Sequence, residues 1–123
     1  MIVGVLKEQQ GDKRVSLLPE QAETLVKKNV QVIIESDAGA NAFVTDSAYL
    51  SRNISTGSRN DVLKQSDIIL SIHPLSEEDM AQVKSSAVVI GVFQPLFNYA
   101  LMKRWSGRSV TTFSLDMIPR TTR

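Results

Sequence analysis

The 123-residue sequence contains no cysteine and a single histidine, His73. The first absence excludes a disulfide scaffold, thiolate metal sites and a thiol nucleophile. With one histidine there is no basis for a histidine-rich zinc site. The six glycines fall at positions 4, 11, 39, 57, 91 and 107, and no two are spaced two apart. A G-x-G-x-x-G turn that would cradle a pyrophosphate is therefore missing. Walker loops and G-x-S-x-G nucleophile elbows are missing as well, so phosphoryl transfer has no visible apparatus. No apolar run approaches the roughly 20 residues that a spanning helix needs. The run 2–6 is too short, and too soon followed by Lys7 and Glu8, to be the core of a signal peptide. A cytoplasmic location is expected, and Asn53-Ile54-Ser55 reads as a chance glycosylation sequon.

What is present is ordinary for one soluble domain: 42% apolar and 22% charged residues, which excludes disorder and collagen. The net charge of +1 is unevenly spread. Residues 1–102 carry nine basic and twelve acidic groups, whereas 103–123 carry five basic groups (Lys103, Arg104, Arg108, Arg120, Arg123) and only Asp116. These cations are scattered through an expected helix, turn and strand with few aromatics between them. They read as solvated surface charge, with no nucleic-acid partner.

Hydrophobic patterning alternates between short β-branched runs and helix-period stretches. Strands are expected over 2–6, 30–35, 68–72, 87–93 and 109–113. Helices are expected over 19–28, 46–51, 58–65, 76–84 and 97–105. Pro19 suits a first turn, and Asn29 can take the left-handed stop. Ser58 with Asp61, and Ser76 with Asp79, have the spacing of helix caps. The acidic run Glu77-Glu78-Asp79 is read as helix-start chemistry rather than general acid–base machinery. Strands separated by helices of this length predict a three-layer α/β fold, with a mainly parallel sheet and helices on both faces.

Open parallel sheets bind ligands beyond the carboxyl ends of their strands. On these boundaries that rule places Lys7, Arg14, His73 and Gln94 around one crevice. Two cations and a histidine suit a small anion, because a guanidinium grips a carboxylate through two parallel hydrogen bonds. Taken singly, Lys7 and Arg14 read as surface charges, and His73 as a satisfied structural group.

The opening Ile2-Val3-Gly4-Val5-Leu6-Lys7-Glu8, followed by Arg14-Val15-Ser16-Leu17-Leu18-Pro19-Glu20, resembles the N-terminal region shared by alanine dehydrogenase and the alpha subunit of proton-translocating NAD(P) transhydrogenase. The similarity continues through 32–39, Phe43, Asp46, Tyr49 and 66–70, and spans essentially the whole chain in order. The ending Pro119-Arg120-Thr121-Thr122-Arg123 resembles the transhydrogenase branch. That resemblance implies a Rossmann-like or flavodoxin-like N-terminal subdomain over 1–123 without a glycine-rich dinucleotide loop, the NAD-binding Rossmann domain being absent from this fragment.

It further implies an enzyme that transfers hydride directly between NAD(H) and NADP(H), coupled to proton movement. This chain would form one wall of the NAD(H) cleft, with Arg123 orienting the nicotinamide and Arg120 supporting it. NADP would sit on a partner domain or subunit. The implied partners are the membrane domain, the NADP-binding beta subunit and a second alpha subunit in a homodimer. The fragment itself would be inactive, non-spanning and peripheral on the inner-membrane complex. Of the groups that hold substrate in alanine dehydrogenase, the arginine matches Arg14. The lysine position carries Ser71 or His73, and the catalytic histidine position falls near Gln94. Two other readings stay open: a fragment of an NAD-dependent alanine dehydrogenase, and a freestanding small-anion-binding or protein-interaction module.

Overall fold

The structure, a computed structural model, describes residues 1–8, 12–91 and 110–115, apart from the side chain of Phe113. β1 (Ile2–Val5) leads to α1 (Pro19–Lys27) and β2 (Gln31–Glu35). A 3-10 turn (Ala40–Ala42) and α2 (Asp46–Leu50) precede the edge strand β3 (Ser55–Gly57). The second half runs α3 (Arg59–Gln65), β4 (Ile68–Leu70), α4 (Glu77–Gln82), β5 (Val88–Gly91) and β6 (Thr111–Ser114). The six strands form one sheet in the order β3-β2-β1-β4-β5-β6, and every pairing is parallel.

Local chemistry sets most of these boundaries. Pro19 opens α1, and the N–H of Leu18 is taken up by Gln21 Oε1 at 3.1 Å. Asn29 follows the helix with φ 65°, the left-handed stop expected of it. Ser58 and Ser76 cap α3 and α4, their hydroxyl oxygens accepting from the N–H groups of Asp61 (3.2 Å) and Asp79 (3.1 Å). The expected strand and helix positions recur with ends moved by up to two residues. The helix expected over 97–105 lies outside the described residues. β3 was not anticipated: three residues reading Ser-Thr-Gly carry no apolar signal, and the strand exists because Ile33 to Glu35 of β2 offer it a partner.

Alternation along the strands sends side chains to both faces of the sheet. On one face, Val5, Val32 and Ile34 pack with Ala22 of α1, Tyr49 of α2 and Ile54. On the other, Ile33, Ile69 and Val89 pack with Val62 and Leu63 of α3, Met80 of α4 and Leu75. The result is the expected three-layer arrangement, with the sheet more uniformly parallel than the pattern alone required. Gly4 permits the close approach of α3. A Cβ there would collide with the side chains of Ser66 and Val62, and Ser66 Oγ meanwhile donates to the Val62 carbonyl at 2.6 Å.

Candidate functional site

In this strand order the winding reverses between β1 and β4, and the connections that leave the carboxyl ends of these paired strands run to opposite faces of the sheet. The chain leaves β1 through Leu6, Lys7 and Glu8, and leaves β4 through Ser71, Ile72 and His73. Glu8 is buried, and its carboxylate accepts from the backbone N–H groups of Ile72 (2.8 Å) and His73 (3.0 Å). Ser71 Oγ donates to the His73 carbonyl at 2.8 Å, which tightens the same turn.

Beside this junction is a crevice of about 360 Å³, lined by Arg14, Val15 and Ser16 from the β1–α1 connection, and by Leu70, Ser71, Ile72, Ile90, Gly91 and Leu115 at the ends of β4, β5 and β6. Its floor is mostly aliphatic, and Arg14 supplies the charge among the described lining residues. The Arg14 guanidinium is held by Asp12: Nε to Oδ1 at 3.0 Å and Nη2 to Oδ2 at 2.7 Å. Asp12 Oδ2 also lies 2.6 Å from His73 Nε2. Hydrogen bonds from the Arg14 side chain and backbone, with a further one from His73, hold the Asp12 carboxyl well below the usual carboxylate range. From the opposite side, the buried Tyr49 hydroxyl donates to the Leu17 carbonyl at 2.7 Å and so anchors the segment that follows Arg14.

A second polar cluster lies at the same end of the sheet, toward β2. Arg59, the first residue of α3, donates through Nη1 to Glu35 Oε1 (2.9 Å) and to the Lys7 carbonyl (3.2 Å). Its Nη2 donates to Asp79 Oδ2 at 2.6 Å, and its Nε sits 3.1 Å from both Asp79 oxygens. One guanidinium therefore links β2, α3, α4 and the exit from β1. Burial raises the Glu35 carboxyl, and Arg59 opposes that shift.

Of the residues singled out from sequence, Arg14 lines the crevice. His73 stands at its margin, joined to Arg14 through Asp12. Lys7 contributes a backbone carbonyl to the Arg59 cluster. Gln94, Arg120 and Arg123 lie outside the described residues. Sequence reading gave no site role to Glu8 or Tyr49, which it named only for the family resemblance and the end of the first strand, nor to Asp12 or Arg59, and it gave Asp79 only half its role. One signal was available: a cation in the first turn of a helix opposes the helix dipole, so Arg59 needed acidic partners elsewhere. Glu8 gave no such signal, because its partners are N–H groups 64 and 65 positions away; Asp12 binds Arg14 only two positions on, and its bond to His73 alone spans 61 positions.

The described residues do not fit a dinucleotide pyrophosphate. The N–H groups that meet at the winding reversal are taken by Glu8, and the N–H just before α1 is taken by Gln21. No cluster of three or more histidine, cysteine, aspartate or glutamate side chains suited to a metal occurs among the described residues. None of their helices is long and apolar enough to cross a membrane.

Comparison with known proteins gives the wider setting. NAD(P) transhydrogenase subunit alpha of Haemophilus influenzae is 30% identical over 124 aligned residues, which cover 100% of this chain and 24% of that protein. The crystal structure of transhydrogenase from Sinorhizobium meliloti superposes with a TM-score of 0.93 at 28% identity, over 99% of this chain and 37% of that one. An L-alanine dehydrogenase shares the fold at a TM-score of 0.86 and 21% identity, over 93% of this chain and 32% of that one. The chain thus spans 24% to 37% of the length of these relatives. The profile described as "Alanine dehydrogenase/PNT, N-terminal domain" matches residues 4–123, and the chain belongs to that family.

Proposed function

We propose that this chain is the N-terminal part of a transhydrogenase alpha subunit, in which it forms one wall of the NAD(H) cleft while another domain grips the phosphates. The complete enzyme would transfer hydride between NAD(H) and NADP(H), coupled to proton movement across a membrane. NADP(H) would sit on a partner domain or the beta subunit, and the alpha subunits would pair. The fragment alone would then be inactive and peripheral to the membrane.

The observation that carries this reading is the chemistry of the crevice. It has an aliphatic floor and, among its described lining residues, a single guanidinium and no other titratable side chain, the Asp12–His73 pair standing at its margin. Such a surface suits the contact face of a planar ring better than the binding of a phosphate. Direct transfer between two nicotinamide rings requires alignment of the rings, and asks no proton transfer of the wall. Identity along the full chain to a transhydrogenase alpha subunit points the same way. Arg120 and Arg123 are proposed to orient the nicotinamide end, with Arg14, Lys7, His73 and Gln94 as remnants of an anion site.

Arg14 at the crevice is also what an alanine dehydrogenase fragment would show. Against that reading stand Ser71 and His73 where a substrate lysine is expected. A spectrophotometric assay of the full-length protein separates the two. Reduction of a thionicotinamide NADP analogue by NADH, without alanine-dependent reduction of NAD, supports transhydrogenation. The reverse result contradicts it.

A further inference from the structure

An open parallel sheet gathers anions where its winding reverses, because backbone N–H groups of the two diverging loops converge there. In this chain the position lies between β1 and β4 and is filled from within. Glu8 is 6% exposed, and each of its oxygens serves a different N–H: Oε2 takes Ile72 at 2.8 Å and Oε1 takes His73 at 3.0 Å. Two consecutive N–H groups aimed at one carboxylate is the arrangement by which backbone concavities hold a bound anion. The hydrogen bond from Ser71 Oγ to the His73 carbonyl closes the turn that presents them.

We propose that Glu8 is a built-in plug, an intrachain carboxylate seated in the anion cradle of the winding reversal. It denies that cradle to external carboxylates and phosphates, and it confines ligand contact to the neighbouring crevice between β4 and β6. Emptied, the cradle would accept a small monocarboxylate. Glu8 acts as a positioning residue, since it fixes the Ser71–His73 turn that forms part of the crevice wall. This inference does not depend on the transhydrogenase reading and would stand equally for any activity of the whole protein.

The test uses the isotope-labelled chain and acetate as the probe. In Glu8→Ala the amides of Ile72 and His73 should exchange with solvent at least tenfold faster than in the parent, and Tm should fall by about 5–10 °C. Sodium acetate should restore protection and Tm along a saturable curve. Sodium chloride at equal ionic strength should not, and the parent should not respond to acetate. Glu8→Gln keeps the space filled and one acceptor oxygen, so it should lose protection at one of the two amides and gain no rescue from acetate. Unchanged exchange in Glu8→Ala overturns the proposal, as does an acetate effect shared by parent and variant or matched by chloride. Should Glu8→Ala fail to fold, the parent decides. Scalar couplings across the hydrogen bonds, from the Ile72 and His73 amide nitrogens to the Glu8 carboxyl carbon, support the plug when present and overturn it when absent.

Discussion

Nη1 of Arg59 stands 2.9 Å from Oε1 of Glu35, yet the Glu35 carboxyl is raised above its ordinary value of 4.5. Burial is the largest cause, and the attraction of Arg59 only partly offsets it. A carboxyl raised in the folded state favours folding below pH 4.5, and that contribution is lost as pH rises through the folded value. Glu35→Gln, which resembles the neutral form, should therefore be at least as stable as the parent at pH 7 and should lose its advantage near pH 4. Removing the shared cation is different. Arg59→Met leaves two carboxylates facing each other without compensation, and should cost roughly 3 kcal/mol. Urea denaturation of both variants at pH 4 and pH 7 checks the pair of signs.

Asp12 behaves in the opposite sense. Its carboxyl is depressed chiefly by hydrogen bonding to Arg14, then by His73. A depressed carboxyl stabilises the fold above its ordinary value of 3.8, and this contribution is lost as pH falls below it. Asp67, held down by Lys84 and the Ile2 N–H, adds to the same acid limb. Asp12→Asn should flatten the loss of stability below pH 3.8, and Asp12→Asn with Asp67→Asn should flatten it further. Both partners of the Asp12–Arg14 pair lie near the surface, so the effect should shrink in high salt. Thermal melts from pH 2 to pH 6 at two salt concentrations measure it.

Gly4→Ala should destabilise by about 1–3 kcal/mol, because the added methyl has nowhere to go between β1 and α3. The same substitution at Gly57 meets its nearest neighbour, Ile33 Cδ1, at 3.3 Å. A flexible side-chain end can yield there, so Gly57→Ala should cost less. Parallel denaturation curves of the two variants rank them.

The layer architecture was legible because it rests on local patterning. Continuous β-branched runs mark strands buried on both faces, and Pro19, Ser58, Ser76 and Asn29 mark helix ends by chemistry that acts within four residues. β3 was not legible, because its strand character comes from β2 and not from its own side chains. The site was legible only in part, for the same reason. Arg14 was found from its place after the first strand, whereas Glu8 acquires its role from N–H groups 64 and 65 positions away. Asp79 shows both levels in one residue. Its N–H is capped by Ser76, as its spacing implies, while its carboxylate holds Arg59 from another helix, which spacing does not reveal.

Whether this domain contributes a wall and not the phosphate grip is tested most directly by titrating residues 1–123 with NADH in a calorimeter, beside the full-length protein. The proposed division of labour predicts saturable binding to the full-length protein and no micromolar binding to the shorter chain. Micromolar affinity of residues 1–123 for NADH would contradict it.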